Sequence, residues 1–374
     1  MTGATLVVLV LTACATRVEA NETVVRERIE SEAATFRVVQ IVSGLENPWA
    51  VAFLPDGRKL ITERAGRLNI FEDSELTRIT GLPTITPGGQ GGLLDVALHP
   101  EYERTGWIYF SYAAPTRTGR GTHLARARLS GTALTDLEVL FEMEPGTTRG
   151  QHFGSRIVFD RDGYLYLTIG DRGEMNRAQD LMDHAGTTIR LHDDGRVPSD
   201  NPFVGRDDAL PEIYTYGNRN AQGMALHPET GVVWQNEHGP QGGDEINIIR
   251  SGLNYGWPVV THGEQYGGGT IGVGTEAPGM EPPVIDWTPS IAPSGMAFYT
   301  GSNFPDWNGD IFVGALAGQH LRRVVLDGDE VVHQESLLQG TIGRIRDVRT
   351  GPDGNLWLLT DARNGGLYRL EPVR

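Results

Sequence analysis

Lysine is nearly missing from this sequence: Lys59 stands alone against 31 arginines in 374 residues. Cysteine is as scarce. Cys14 is the single one, which excludes an intramolecular disulfide framework and any multi-cysteine zinc site. Positive net charge is absent too. A formal charge of −16 offers none of the basic surface that backbone binding to nucleic acid requires, so no nucleic-acid partner is expected. No segment reaches 18 uninterrupted apolar residues, and membrane contact is expected only through a lipid anchor. Long helical periodicity is nowhere evident.

What is present is glycine, 49 residues without a collagen period, which points to many tight turns. The 39% of hydrophobic residues is enough for a large core. At the amino terminus Leu6–Leu11 form a short apolar core, too short to span a bilayer, and fit the hydrophobic region of a secretory signal. Leu11-Thr12-Ala13-Cys14 resembles the lipobox of bacterial lipoproteins. The alternative is an ordinary cleaved signal with an incidental cysteine. The division expected is residues 1–14 as signal peptide with lipobox Cys14, 15–35 as a polar flexible tether, and 36–374 as one domain. The product would be exported, periplasmic or lipid-anchored to the bacterial envelope.

One phrase recurs six times: an apolar run, a turn with Pro, Asp or Gly, then a second short apolar run. The copies begin at Trp49, Asp95, Arg156, Gly223, Gly295 and Asp347. Each has the chemistry of a β-hairpin, and their spacing leaves room for four strands apiece. Six such units around an axis make an all-β, six-bladed β-propeller, with long functional loops at one end of the channel. A β-sandwich with unrelated hairpins is the competing fold. The segments 80–92, 171–222 and 236–294 are the long Gly-rich loops in which function is expected.

Several constellations carry candidate chemistry. His152, at a strand entrance between glycines, suits proton abstraction near neutral pH, or bonds a loop carbonyl structurally. Asp171 either orients His152 or closes an Asx-turn. Arg219 and Asn220 suit a ligand rich in carbonyls and carboxylates, or simply hold their loop. Arg344 and Arg346 alternate at period two and so share a face, as an acidic-ligand clamp or an exposed basic strand. The 238–247 segment offers hard oxygen ligands suited to Ca²⁺ without EF-hand spacing, although oxygen-rich loops are common.

These residues resemble, in order and separation, the glucose/sorbosone dehydrogenase family, the soluble aldose sugar dehydrogenases dependent on pyrroloquinoline quinone (PQQ). The resemblance spans about residues 36–371. Its markers include Glu46-Asn47-Pro48-Trp49, Gly88–Asp95, His152 with Gly154 and Arg156, Ile169-Gly170-Asp171, Gly217–Asn220, Glu237–Pro240, Gly243–Asn247, Asn254–Pro258 and Arg344–Asp347.

The resemblance implies a six-bladed propeller that oxidises the C1 hydroxyl of aldoses to lactones by hydride transfer to the quinone. It implies His152 as base, Asp171 as its support, and Arg219 and Asn220 on the quinone oxygens. Gln90 is implied as a further cofactor or substrate contact, and Arg344 and Arg346 as the clamp on the cofactor carboxylates. The Gly239 and Pro240 carbonyls are implied as ligands of a cofactor Ca²⁺, and Glu245 with the Tyr255 carbonyl as ligands of a second, structural Ca²⁺. Partners would be an aldose and a respiratory quinone or other electron acceptor. The chain departs from the family at Ala317, where a lysine meeting a cofactor carboxylate is usual, and Arg322 or Arg323 are the nearby substitutes. Gln151, before the base, stands where glucose-oxidising relatives can have an acid. The alternatives are a propeller lactonase-type hydrolase with a carboxylate-held channel metal, and a non-catalytic sugar-binding propeller.

Overall fold

The structure, a computed structural model, describes Val18, Glu19 and residues 21–373. The signal and lipobox residues lie outside these. The described residues are almost wholly β, with one four-residue helix at Tyr102–Thr105 and two short 3₁₀ turns. Strands gather into six antiparallel sheets, each a blade. The first strands are Pro48–Phe53, Leu93–Leu98, Ile157–Phe159, Ala221–Leu226, Pro293–Phe298 and Ile345–Thr350. Each packs on the first strand of the next blade, and the sixth packs on the first, which closes a ring. Every copy of the recurring phrase supplies the first two strands of one blade, as the six-bladed expectation requires.

Blades 1 to 5 are each built from consecutive strands. Blade 6 is different. Its strands Ile345–Thr350, Leu356–Thr360 and Gly365–Pro372 come from the end of the chain, and its fourth, Thr35–Leu45, comes from the beginning. This strand turns Phe36 and Val38 into the core shared with blade 5, and Val39, Ile41 and Val42 into that shared with blade 1. Burial on both faces explains its near-continuous apolar run. A fifth strand, Thr23–Glu30, then pairs outside it. The expected tether over 15–35 therefore holds a strand. Its many charges reflect an edge position in which only Val25 and Ile29 pack inward, and charge on an edge strand blocks further pairing. The segments 171–222 and 236–294 likewise contain the outer strands of blades 3 and 4 besides loops.

Apolar side chains fill six wedges between neighbouring blades. On the axis the packing is ionic instead. Arg156 Nη1 donates to Asp95 Oδ1 at 3.1 Å and Asp347 Oδ1 at 2.9 Å. Arg349 donates to Asp95 Oδ1 at 2.8 Å and Asp347 Oδ2 at 2.9 Å. The remaining Asp95 oxygen accepts from Ile157 N–H, Asp347 Oδ2 also accepts from Val51 N–H, and Trp49 covers the Arg156 guanidinium at 4.3 Å. Two cations and two anions thus pin blades 1, 2, 3 and 6 to one another. Removing one member leaves a buried charge uncompensated, which costs about 3–5 kcal/mol. Asp95→Ala is expected to lower the denaturant midpoint sharply, whereas Asp56→Ala, at an exposed turn, leaves it nearly unchanged; equal midpoints in urea unfolding would contradict this role.

Candidate active site at one end of the channel

In each hairpin of the ring, the entrance to the first strand and the exit of the second lie at the same end. Gln90, His152, Arg219, Asn220 and Arg344 precede or open first strands. Asp171, Gly239, Ala317 and Asp361 follow second strands. Antiparallel pairing thereby brings residues far apart in sequence to a single mouth. The opposite end holds a cavity of about 840 Å³ whose walls are mostly apolar. Its one charged lining residue, Arg349, is already paired with Asp95 and Asp347.

His152 is buried, with a positive φ of 54° allowed by the tight turn through Gly154. Its backbone N–H donates to Gln90 Oε1 at 2.8 Å, and Gln90 N–H donates in turn to Gly150 O. Nδ1 lies 2.6 Å from Asp171 Oδ1. An ionised carboxylate only accepts, so Nδ1 carries the proton and Nε2 is left as the basic nitrogen. Asp171 is itself held by Gly173 N–H at 2.6 Å and by Trp257 Nε1 at 2.8 Å on its other oxygen. Burial pushes the His152 imidazole below its ordinary value, and this outweighs the upward pull of Asp171. Burial would raise Asp171, but His152, Gly173 and Arg219 hold it below the usual carboxylate range. His152, Asp171, Arg219 and Pro240 line one cavity of about 130 Å³, together with Gln151, Trp257 and Tyr266.

Arg219 Nη1 donates to the carbonyls of His238 at 3.2 Å and Gly239 at 2.8 Å. The Gly239 carbonyl, expected as a calcium ligand, thus already accepts a hydrogen bond, which leaves it one lone pair. Asn220 Oδ1 accepts from Gly154 N–H and from Gln222 Nε2, both at 3.2 Å. Its amide nitrogen is therefore the group left to donate. Arg344 and Arg346 share a face, as their spacing implied, and both reach Asp361 Oδ2. Arg346 also donates to Gln222 Oε1 at 2.9 Å, while its Nε is buried without a partner.

Glu245 and Tyr255 line a second, smaller cavity of about 10 Å³ with Glu237, Gly243 and Thr261. Burial pushes both glutamates above the carboxylate range, and Glu237 pushes Glu245 further. Two buried acids beside peptide oxygens match the demands of a hard cation. No group of three or more His, Cys, Asp or Glu side chains gathers among the described residues, so backbone carbonyls would complete any such shell.

Ala317 lies in the loop after the second strand of blade 5, and neither proposed substitute is shown to serve it. Arg323 is engaged by Asp310 and Glu335, and Arg322 Nε is buried without a partner. Sequence reasoning did not single out Asp361, Gln222, Tyr266 or the role of Trp257. Asp361 follows a second strand just as Asp171 does, and that parallel was the signal available.

The fold is a six-bladed β-propeller whose channel mouth gathers a His–Asp pair, guanidiniums and peptide oxygens. The Glucose / Sorbosone dehydrogenase family model matches residues 45–369, and the chain belongs to that family. It is similar to the aldose sugar dehydrogenase YliI of Escherichia coli, 43% identical over 91% of this chain and 94% of that protein. A solved glucose dehydrogenase superposes with a TM-score of 0.87 at 45% identity, covering 89% of this chain and 98% of the other. The PQQ-bound aldose sugar dehydrogenase of Streptomyces coelicolor gives a TM-score of 0.72 at 28% identity, covering 95% and 99%.

NMR titration of the His152 ring is expected to give a pKa below 6.5 with the proton on Nδ1 in the neutral form. Because Asp171 acts to raise that pKa, Asp171→Asn should lower it further and release the tautomer; an upward shift would contradict the geometry.

Proposed function

We propose that the protein oxidises the C1 hydroxyl of aldoses to lactones with PQQ and Ca²⁺. The observation that carries this reading is the His152–Asp171 pair opening into the same cavity as Arg219 and Pro240. When bound, the quinone supplies the two-electron acceptor for the hydride leaving C1.

His152 Nε2 takes the hydroxyl proton. Asp171 keeps Nδ1 protonated, orients the ring and stabilises the imidazolium that forms. Arg219 and the Asn220 amide N–H place positive charge where the quinone oxygens would lie. Arg344 and Arg346 would hold the cofactor carboxylates, and the orphaned Arg346 Nε fits such an anion. The carbonyls of Pro240 and Gly239 would hold the cofactor Ca²⁺, and Glu245 with the Tyr255 carbonyl a structural one. Gln90 fixes the backbone of the base and stands exposed at the mouth, beside the substrate. Electrons would leave for a respiratory quinone or another acceptor. The hydrolase alternative calls for channel carboxylates free to hold a metal. Asp95 and Asp347 on the axis are instead closed on Arg156 and Arg349.

Absorbance and melting temperature of the protein, titrated with PQQ with and without Ca²⁺ before aldose addition, test the reading. Wild type should bind the quinone and reduce it. His152→Ala should still bind but turn over about 10²–10⁴-fold more slowly, and Glu245→Gln should lose part of the calcium-induced rise in melting temperature. A protein that neither binds PQQ nor oxidises any of a broad sugar panel would sink the proposal.

Export rests on Leu6–Leu11 and Cys14. The mature enzyme is proposed to be periplasmic or lipid-anchored, and Cys14→Ser should move it from the membrane to the soluble envelope fraction. Recovery of the wild type from the cytosol would reject this.

A further inference from the structure

The charge around Asp361 does not balance. One of its oxygens accepts from Arg344 at 3.2 Å and Arg346 at 3.1 Å. The other accepts from Asn47 Nδ2 at 3.1 Å and has Arg64 Nη1 at 3.9 Å. Three guanidiniums therefore surround one carboxylate. The nearby acids Glu46 and Glu63 share the single Arg67, so that group keeps one net negative charge. Burial would raise the Asp361 carboxyl, yet Arg346, Arg64 and Arg344 together hold it well below the carboxylate range. Counted together, four guanidiniums face three carboxylates and one positive charge is left uncompensated, in a chain whose net charge is −16.

Arg64 follows the second strand of blade 1 and so lies at the same end as the rest of the site. Gly92 leaves room for it, since a Cβ added there would come 2.9 Å from Arg64 Cγ and closer still to the Arg64 carbonyl. This places Arg64 against the Gly88–Gly92 turn that carries Gln90. Its distance to Asp361 is beyond a hydrogen bond, and its side chain is 24% exposed. Arginine cannot shed its charge at physiological pH, so the surplus persists until an anion meets it.

We propose that Arg64 is the third arm of an anion clamp with Arg344 and Arg346, and that the clamp selects ligands with two or more carboxylates. The inference rests on the quinone reading above, because PQQ bears three carboxylates. It adds blade 1 to the site and gives the cofactor a third cation from a loop other than that of Ala317.

The test is quenching of tryptophan fluorescence in the full-length apo-protein, titrated at several salt concentrations with PQQ, its trimethyl ester and citrate. Arg64→Gln should raise the Kd for PQQ at least about tenfold, the scale of a lost hydrogen bond to a charged group, and flatten its dependence on salt. Arg64→Lys should recover most of the affinity, and the ester should bind wild type and Arg64→Gln alike. Should Arg64→Gln melt early, Arg64→Met keeps the stem beside Gly92 and serves the same comparison. Wild-type affinity and salt dependence for PQQ in the stable charge-removed variant would overturn the proposal. Failure of the quinone reading looks different: wild type would then ignore PQQ yet bind citrate in an Arg64-dependent way, and the clamp would stand.

Discussion

Everything at the active end of this molecule is referenced to the four paired charges on the axis. Asp95, Arg156, Asp347 and Arg349 come from three blades, and their bonds also take in Val51 of a fourth and Ile157. Apolar packing between blades is tolerant of small slides, but charge-assisted hydrogen bonds are directional. A largely desolvated network of paired charges favours one arrangement of the blades. It also links outward to the chemistry. Arg156 Nε donates to the carbonyl of Gln222, whose side chain holds both Asn220 and Arg346.

Placement above that network follows from strand geometry. Antiparallel hairpins around a ring deliver two kinds of residue to the mouth, one before each first strand and one after each second strand. His152 and Asp171 meet because they occupy these two positions on blade 3, and Arg344 and Asp361 because they occupy them on blade 6. Burial lowers the pKa of the His152 imidazole, and a carboxylate fixes its tautomer and is itself fixed by Trp257 and Gly173. The mouth combines acceptors for a cation on blade 4 with guanidiniums on blades 4, 6 and 1. Such a division of charge suits a ligand that is anionic at one end and metal-bound at the other.

Much of this was legible before folding. The six-fold phrase marked the inner two strands of every blade, because those strands are largely buried and read as short apolar runs around a turn. His152, Asp171, Arg219, Asn220, Arg344 and Arg346 stood out because glycines and repeated side-chain types surround them. The outer strands were less visible: Thr23–Glu30 is half solvated and charged, so its composition matches that of a tether. Asp361, Gln222 and Arg64 did not stand out in the sequence. Each matters through a partner distant along the chain, at separations of 15 to 297 residues.

The sequence by itself determined the strand repeat, the blade count and which side chains are candidates for the proposed chemistry. Periodicity and turn chemistry are local properties, fixed by neighbours within a few residues. The tertiary structure alone decided three things. It closed the ring with the first long strand of the chain, since apolar edges need a partner wherever it lies in sequence. It set which arginines are paired and which are in surplus, because charge compensation depends on distance through space. And it lowered the pKa of His152, since desolvation exists only once the chain has folded around it.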